Sequence, residues 1–512
     1  MASSAVVEEA RTIEKYSPVT GEKIAEYPIA SVDEVKAAVE AASQAFGAWR
    51  DLSISARFKY INRLRDVIRE DGEYYAARIS EDTGKPLSDS LLTELMVTAL
   101  MIDHYEKTAE KVLSRKRVRN PLVFPFKKSY VEHFAMGVVA VISPWNFPFQ
   151  LAVVPAISAL IAGSTVIVKP SEVTPIVGEI IAEVFEKAGF PKGVFQLLQG
   201  DGTTGAALCD SDVQKIFFTG SVATGRRVMQ AASKRLIPVE LELGGKDPFI
   251  VCHDAPLERA AKACAWGGLV NCGQMCTSVE RVFVVESVYD KFMALLKNEV
   301  SQVKAGGPDE DADIGPMTFP KQIKIVEAHI ADAKAKGAKI TLGGNRIDRD
   351  GQFFEPTLIE DVTTEMDVYV EETFGPVIPV IKVMDEEEAI RLSNAHQYGL
   401  NASVWTLDVN RGIEIASRLE CGQVTVNEIV QSVGNPVLPF GGVKNSGFGR
   451  YHGDEGLLSF THTRAIMADY GRLSTEPFWF PYAGKYPEML KAFKALLDGK
   501  LPKALISLVK IR

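Results

Sequence analysis

Four short stretches carry residue types whose spacing could do chemistry. Asn271-Cys272-Gly273-Gln274-Met275-Cys276 offers a thiol in a polar turn broken by glycine. A thiolate is a strong nucleophile toward a carbonyl carbon once something ionises it. The two cysteines stand four apart, but no CxxC and no nearby histidine completes a zinc set, so no metal site is expected. None of the histidines, at 104, 133, 253, 329, 396, 452 and 462, sits in a local pattern that would activate the thiol. A buried inert cysteine fits these residues equally well. Glu240-Leu241-Glu242-Leu243-Gly244-Gly245-Lys246 sets a carboxylate beside two glycines, where the backbone can approach closely. Glu242 there reads as a base or as a surface acid. Lys169-Pro170-Ser171-Glu172 ends the run TVIV, and nucleotide sites of open α/β sheets lie beyond strand carboxyl ends. A solvated strand end has the same look. Phe218-Thr219-Gly220-Ser221-Val222-Ala223-Thr224-Gly225 follows an apolar strand and opens a helix, so Gly220, Ser221 and Gly225 could cradle a phosphate. The spacing is neither GxGxxG nor a P-loop, and a plain strand–helix turn accounts for it equally well.

The elements that must position these residues read as α/β. Ser31–Phe46 has Val35, Ala38, Val39 and Ala42 on one helical face, and two further helices fit Ile54–Ile79 and Asp89–Val112. Lys116–His133 alternates loosely around Pro121 and Pro125, which suits an exposed ribbon. No residue from Gly137 to Val168 is charged, long enough for a membrane span. Pro144, Pro148, Pro155 and Gly163 divide it instead into strand Val138–Ser143, helix Phe149–Ala162 and strand Thr165–Val168. From Val138 to Val251 the runs VVAVIS, TVIVKP, VFQLLQ, KIFFTGS and PFIVC alternate with helices, the rhythm of a doubly wound parallel sheet. A second alternating stretch runs from Ala255 to Asn427, and Leu438–Arg450 is a glycine-rich loop. With 512 residues and 46% hydrophobic content the chain is long enough for two or three cores. A net charge of −9 argues against nucleic acid as partner, and six cysteines are too few for a disulfide scaffold. The N-terminus MASSAVVEEARTIEKYSP lacks the apolar core of a signal peptide, so a cytoplasmic protein is expected.

Taken in order, the motifs Pro144-Trp145-Asn146-Phe147-Pro148, Lys169-Pro170-Ser171-Glu172, Glu242-Leu243-Gly244-Gly245-Lys246, Gly273-Gln274-Met275-Cys276, Glu372-Thr373-Phe374-Gly375-Pro376 and Pro439-Phe440-Gly441-Gly442 closely resemble the aldehyde dehydrogenase superfamily. Glu81-Asp82-Thr83-Gly84-Lys85-Pro86 and Tyr398-Gly399-Leu400 add to the likeness, which covers Tyr16 to Arg464. The resemblance implies a Rossmann-like cofactor domain (1–115 and 137–245), an α/β catalytic domain (246–440) and a small β oligomerisation element (116–136 and 441–470). It implies Cys276 as catalytic thiol, Glu242 as general base and Asn146 as the side chain holding the oxyanion with the Cys276 N–H. Lys169 and Glu172 match positions facing the adenosine ribose, Ser221 a pyrophosphate contact, and Glu372 a ligand of the nicotinamide ribose. Phe374 matches a residue beside the nicotinamide, and Trp145, Gly220 and Gly225 belong to the same cofactor set. The expected cofactor is NAD, with NADP the alternative, since Glu172 would repel a 2′-phosphate.

These roles suit one reaction, oxidation of an aldehyde to the acid. Thiolate addition makes a tetrahedral alkoxide that can release hydride, and activated water then cleaves the thioester. Relatives that pass the acyl group to CoA typically lack the glutamate, so Glu242 counts against that alternative. A silent binding protein on this fold, or a cysteine hydrolase, would not need the full set. Tyr451-His452-Gly453-Asp454-Glu455 replaces the Glu-Leu-Gly-Glu run of tetrameric classes and looks like the class 3 branch, leaving homodimer and homotetramer both open.

The tail from 471 to 512 runs past this likeness. Lys485, Lys491, Lys494, Lys500, Lys503, Lys510 and Arg512 oppose only Glu488 and Asp498, and apolar residues recur at helical spacing. Peripheral contact with an anionic membrane through 485–512 is expected, together with a medium-to-long or otherwise hydrophobic aldehyde. Capping of a substrate tunnel and ordinary packing are the alternatives. Leu151 and Val154 are expected at the tunnel wall.

Overall fold

The computed structural model describes residues 11–122, 124, 126–472, 474–476 and 478–511. Pro125, Arg512 and the start of the N-terminal segment used above lie outside the described residues. Two compact units are present. One holds the chain up to Glu110 and Ala135–Phe460, the other Lys111–Phe134 and the chain from Thr461.

The larger unit contains the alternating stretches as two sheets, but PFIVC, expected in the first, belongs to the second, and Val239–Glu242 takes its place. Val138–Ile142 (β1), Thr165–Lys169 (β2), Phe195–Leu197 (β3), Lys215–Thr219 (β4) and Val239–Glu242 (β5) form a parallel sheet in the order β5-β4-β1-β2-β3. Gly447–Phe448 adds an antiparallel edge to β5. The chain winds outward from β1 through β3, then returns to the other side of β1 for β4. That reversal puts a crevice at the carboxyl ends of β1 and β4, where open α/β sheets bind ligands. All five residues of β1, β2 and β4 are buried, as continuous apolar strands covered on both faces require.

Two helices show how the covering works. Val32–Arg50 buries Val35, Ala38, Val39 and Ala42, and its Ser31–Glu34 capping box satisfies the first turn. Gln150–Ala162 (α1) is buried at every residue, between β1 and β2. The uncharged run is therefore strand, core helix and strand. Among the described residues no helix is long and apolar enough to cross a membrane.

The span expected as one helix over Ile54–Ile79 is two, Ile54–Glu70 and Gly72–Thr83, broken at Asp71-Gly72. Asp89–Val112 is continuous in outline but contains a wide turn of π type over Ser90–Met96 before the helix Val97–Leu113.

The second sheet is built on Asp247–Val251 (β6) and Val279–Val285 (β7), parallel neighbours at its centre. Its core includes Phe249, Phe283, Val380 and Trp405. The bridging element expected at 441–470 divides at Phe460, because Gly447–Phe448 pairs with Leu241–Glu242 and so belongs to the larger unit.

The smaller unit has a three-stranded sheet of Thr461–Ala468, Lys128–Ala135 and Lys116–Val118, in that order. The last two pair antiparallel, as the ribbon reading expects. Two helices follow, Tyr486–Leu497 and Leu501–Val509, which pack on each other through Met489, Ala492 and Leu508.

Candidate active site

Cys276 follows a turn that few sequences could form. Asn271 and Cys272 both lie in the left-handed region, at φ 52° and 57°, and Gly273 follows at 69°. Each left-handed residue with a side chain costs about 1–2 kcal/mol. The Asn271 amide offsets this by donating to the carbonyls of Gln274 at 3.1 Å and Asn146 at 3.0 Å. The Gln274 side chain returns a bond to the Asn271 carbonyl at 2.9 Å, and its Oε1 accepts from Thr318 N–H at 2.8 Å. Replacing Gly273 is costly, since a Cβ there would overlap the Gly375 carbonyl. The turn thus explains why glycine, glutamine and asparagine accompany the thiol.

The Asn146 loop is fixed by a buried ion pair that the sequence reading missed. Lys85 Nζ bonds Glu94 at 2.9 Å and donates to the Asn146 carbonyl at 2.8 Å, with both charged side chains almost fully buried. The other Glu94 oxygen accepts from Phe149 and Gln150 N–H at 3.1 and 2.9 Å, where α1 begins. A carboxylate at a helix N-terminus is favoured by the free N–H groups there. Asn146 therefore precedes α1 and is not on it. Its backbone carbonyl is spoken for on two sides, and its side chain lines the cavity with Cys276.

Glu242 ends β5 and is 3% exposed, with neither carboxylate oxygen hydrogen-bonded. Burial drives its pKa well above the usual carboxylate range, Glu240 adds to the rise, and Arg450 opposes it. Glu240 stands two residues earlier on the same face of the strand. It is paired with Lys215 of β4 at 2.6 Å, and Lys215 also donates to the Ser459 carbonyl at 2.6 Å. The glycine-rich loop approaches both acids: a Cβ on Gly441 would come within 2.9 Å of Glu242, and one on Gly449 would overlap Glu240. Burial also pushes the Cys276 thiol up, with Asp247, Glu372 and Glu242 adding to the rise. All six cysteines are free thiols, and Cys272 is fully buried.

A cavity of about 740 Å³ joins these groups. Cys276, Asn146 and Glu242 line it together with Trp145, Lys169, Glu172, Gly220, Ser221, Glu372 and Phe374. Asn146, Lys169, Glu172, Gly220, Ser221 and Glu242 come from strand ends or the loops after them, as the crevice at β1 and β4 demands, whereas Cys276, Glu372 and Phe374 come from segments that lead into strands of the second sheet. Lys169 and Glu172 form an ion pair at 3.0 Å. Ser221 caps the helix Val222–Ser233, accepting from Thr224 N–H. Trp145 packs edge-on against Phe374 at 5.3 Å and beside Phe319 at 5.8 Å.

Gly225 does not line the cavity. A Cβ there would meet Leu243 at 2.7 Å, so it serves close packing of the helix on the strand. Leu151 lines the cavity, whereas Val154 is fully buried and is not among its lining residues. Glu372 rests on the Gly244–Gly245 step, accepting from Gly245 N–H at 3.0 Å. Burial and the nearby Glu280 push it up to about 8. Glu280 was also missed. It accepts from Thr373 and Phe374 N–H at 2.8 and 2.9 Å and pairs with the buried Lys246, so it shapes the Glu372–Phe374 segment. Its signal in the sequence is only an acid four residues beyond the thiol.

Comparison with known proteins adds to this geometry. The model of the Aldehyde dehydrogenase family matches residues 6–466. A 4,4'-diapolycopene aldehyde oxidase of Methylomonas sp is 40% identical over 490 residues, 96% of this chain and 92% of that protein. A protein of Mycolicibacterium smegmatis, named provisionally as a succinate-semialdehyde dehydrogenase [NADP(+)], is 38% identical over 87% of each chain. The crystal structure of a Mycobacterium tuberculosis aldehyde dehydrogenase complexed with NAD+ superposes with a TM-score of 0.87 at 35% identity, covering 91% of this chain and 96% of the other.

Proposed function

Because this chain belongs to the aldehyde dehydrogenase family, we propose that it oxidises an aldehyde to the carboxylic acid through a thioester on Cys276, with NAD as cofactor. The observation that carries this reading is one cavity in which a thiol, an amide side chain and a buried, unbonded carboxylate converge, open to the strand ends that nucleotides use.

The residues fit the cofactor. Lys169 and Glu172 at the end of β2 would hold ribose hydroxyls, and the capped helix after Ser221 would face the phosphates. Glu372 and Phe374 would border the nicotinamide end. Bound there, the nicotinamide supplies the acceptor for hydride. Glu172 disfavours a 2′-phosphate, which gives NAD preference over NADP, although one relative is named for NADP.

The chain's own groups do the rest. The Cys276 thiol gives its proton to solvent water, its sulfur adds to the carbonyl carbon, and the C=O pair moves onto oxygen. The Asn146 amide and the Cys276 N–H donate to that oxygen; losing one such donor typically costs roughly 10²–10³ in rate. Collapse of the alkoxide expels the carbon's hydrogen as hydride and leaves a thioester. Glu242, as carboxylate, takes a proton from water, and the hydroxide displaces the Cys276 thiolate. A base with its pKa raised by burial is matched to this proton.

Trp145, Leu151, Phe319 and Phe374 make the wall apolar, while the lining cations Lys169 and Arg227 belong to the strand end and helix at the nucleotide side. This lining supports a hydrophobic aldehyde as substrate, beside a relative named as a 4,4'-diapolycopene aldehyde oxidase. The test is a panel of aldehydes of graded length, read by NADH formation, with Cys276→Ala as control. kcat/KM should rise with length and the variant should lose at least about a thousandfold while still binding NAD. A best substrate that is short and charged would reject the hydrophobic reading, and an active variant would reject the thiol.

A further inference from the structure

We propose that the C-terminal hairpin docks the protein on an anionic membrane surface by laying two lysine-flanked apolar stripes into the headgroup layer. The inference is independent of the catalytic reading. The family match ends at residue 466, and the hairpin lies beyond it. Its helices, here α2 (Tyr486–Leu497) and α3 (Leu501–Val509), already have a core of their own in Met489, Ala492, Ala504 and Leu508. That core leaves a second apolar face on each helix. On α2, Tyr486, Phe493 and Leu497 fall at spacings of seven and four, hence on one side, and are 70%, 56% and 73% exposed. On α3, Ile506 and Val509 form the matching stripe at 57% and 65%. Trp479 and Phe480 lead into the hairpin and are also exposed. A soluble surface seldom leaves so many large apolar groups together without a partner.

Charge chooses the partner. Lys494 adjoins the α2 stripe, and Lys503 and Lys510 adjoin that of α3. None of the three forms an ion pair among the described residues, unlike Lys491 and Lys500, which pair with Glu488 and Asp498. A twofold contact with a second copy would bring these lysines toward their own equivalents. Anionic headgroups beside an acyl layer instead satisfy both features at once, with the lysine stems reaching up past the buried stripe. The two helices have 12 and 9 residues, too short to span, so they lie in the surface plane. In a chain of net charge −9 the basic hairpin would also orient the approach.

The test is co-sedimentation of the full-length protein with phosphatidylcholine vesicles, with and without phosphatidylglycerol. Binding should require phosphatidylglycerol and weaken with salt. The triple variant Lys494→Gln/Lys503→Gln/Lys510→Gln should bind about a hundredfold more weakly, from about fivefold per lysine. Phe493→Ser/Leu497→Ser should weaken binding even at low salt. Turnover of a water-soluble aldehyde should stay unchanged in both variants, which separates this test from the catalytic one. Absence of binding to phosphatidylglycerol vesicles at low salt, or equal binding by all three proteins, would overturn the proposal. So would a change of oligomeric state in Phe493→Ser/Leu497→Ser, which would assign the stripe to a second copy.

Discussion

The turn around Cys276 and the C-terminal hairpin treat lysine and apolar surface in opposite ways. At the site, Lys85, Lys215 and Lys246 are buried, each matched to one carboxylate, Glu94, Glu240 or Glu280. In the hairpin, Lys494, Lys503 and Lys510 are exposed and flank apolar side chains that are exposed too. Buried lysines in the first region fix backbone: Asn146 by Lys85, and the Glu372–Phe374 segment through Glu280. A buried pair adds little net stability compared with an apolar replacement, but losing one partner is expensive. The lesson is that the same residue type is a positioning device where water is excluded and, on the docking proposed above, an adhesive where it is not.

Lysine substitutions break this comparison most sharply. Lys85→Met strands Glu94 in the core and should cost about 3–5 kcal/mol by chemical denaturation, with loss of activity. Lys494→Met should stay within about 0.5 kcal/mol of the parent. Equal effects would show that the buried pair is not what holds the loop. Gly273→Ala comes next, at about 2–3 kcal/mol, because it adds a methyl against the Gly375 carbonyl at a left-handed position. Gly499, also left-handed at φ 70° but with nothing near its Cβ, should lose less on the same change, measured by thermal melting.

A smaller effect lies in pH. Glu372 is raised to about 8 in the fold, against about 4.3 in an unfolded chain. The folded state therefore holds the extra proton between these values. Its stabilising contribution is complete below about 4.3 and is lost as pH rises toward about 8. Glu372→Gln should flatten the fall of melting temperature across that window. An unchanged slope would mean that Glu372 does not keep its proton on folding.

Much of the framework was legible in the sequence. Strands Val138–Ile142 and Thr165–Lys169 with the helix between them follow from uncharged runs cut by proline and glycine. The residues named for the site, all but Gly225 and the tunnel-wall Val154, meet in one cavity, with the cofactor residues of the first sheet brought there by strand ends that gather at a crevice. Gly225 looked like a phosphate glycine because local spacing cannot tell a ligand's approach from that of Leu243. The break at Asp71-Gly72 was hidden because apolar periodicity continues across it. The pairs of Lys85 with Glu94 and Lys215 with Glu240 were illegible for another reason. Each depends on register between elements, and the wide turn over Ser90–Met96 sets where Glu94 points.

The central claim is that Glu242, buried and unbonded, activates the water that releases the acyl group from Cys276. Rapid mixing of Glu242→Gln with aldehyde and NAD tests it most directly. The account predicts a burst of NADH equal to the active sites, then steady turnover slowed by about 10²–10⁴, with an acyl adduct on Cys276 by mass spectrometry. Steady turnover at the parent rate, with no accumulated adduct, would contradict it.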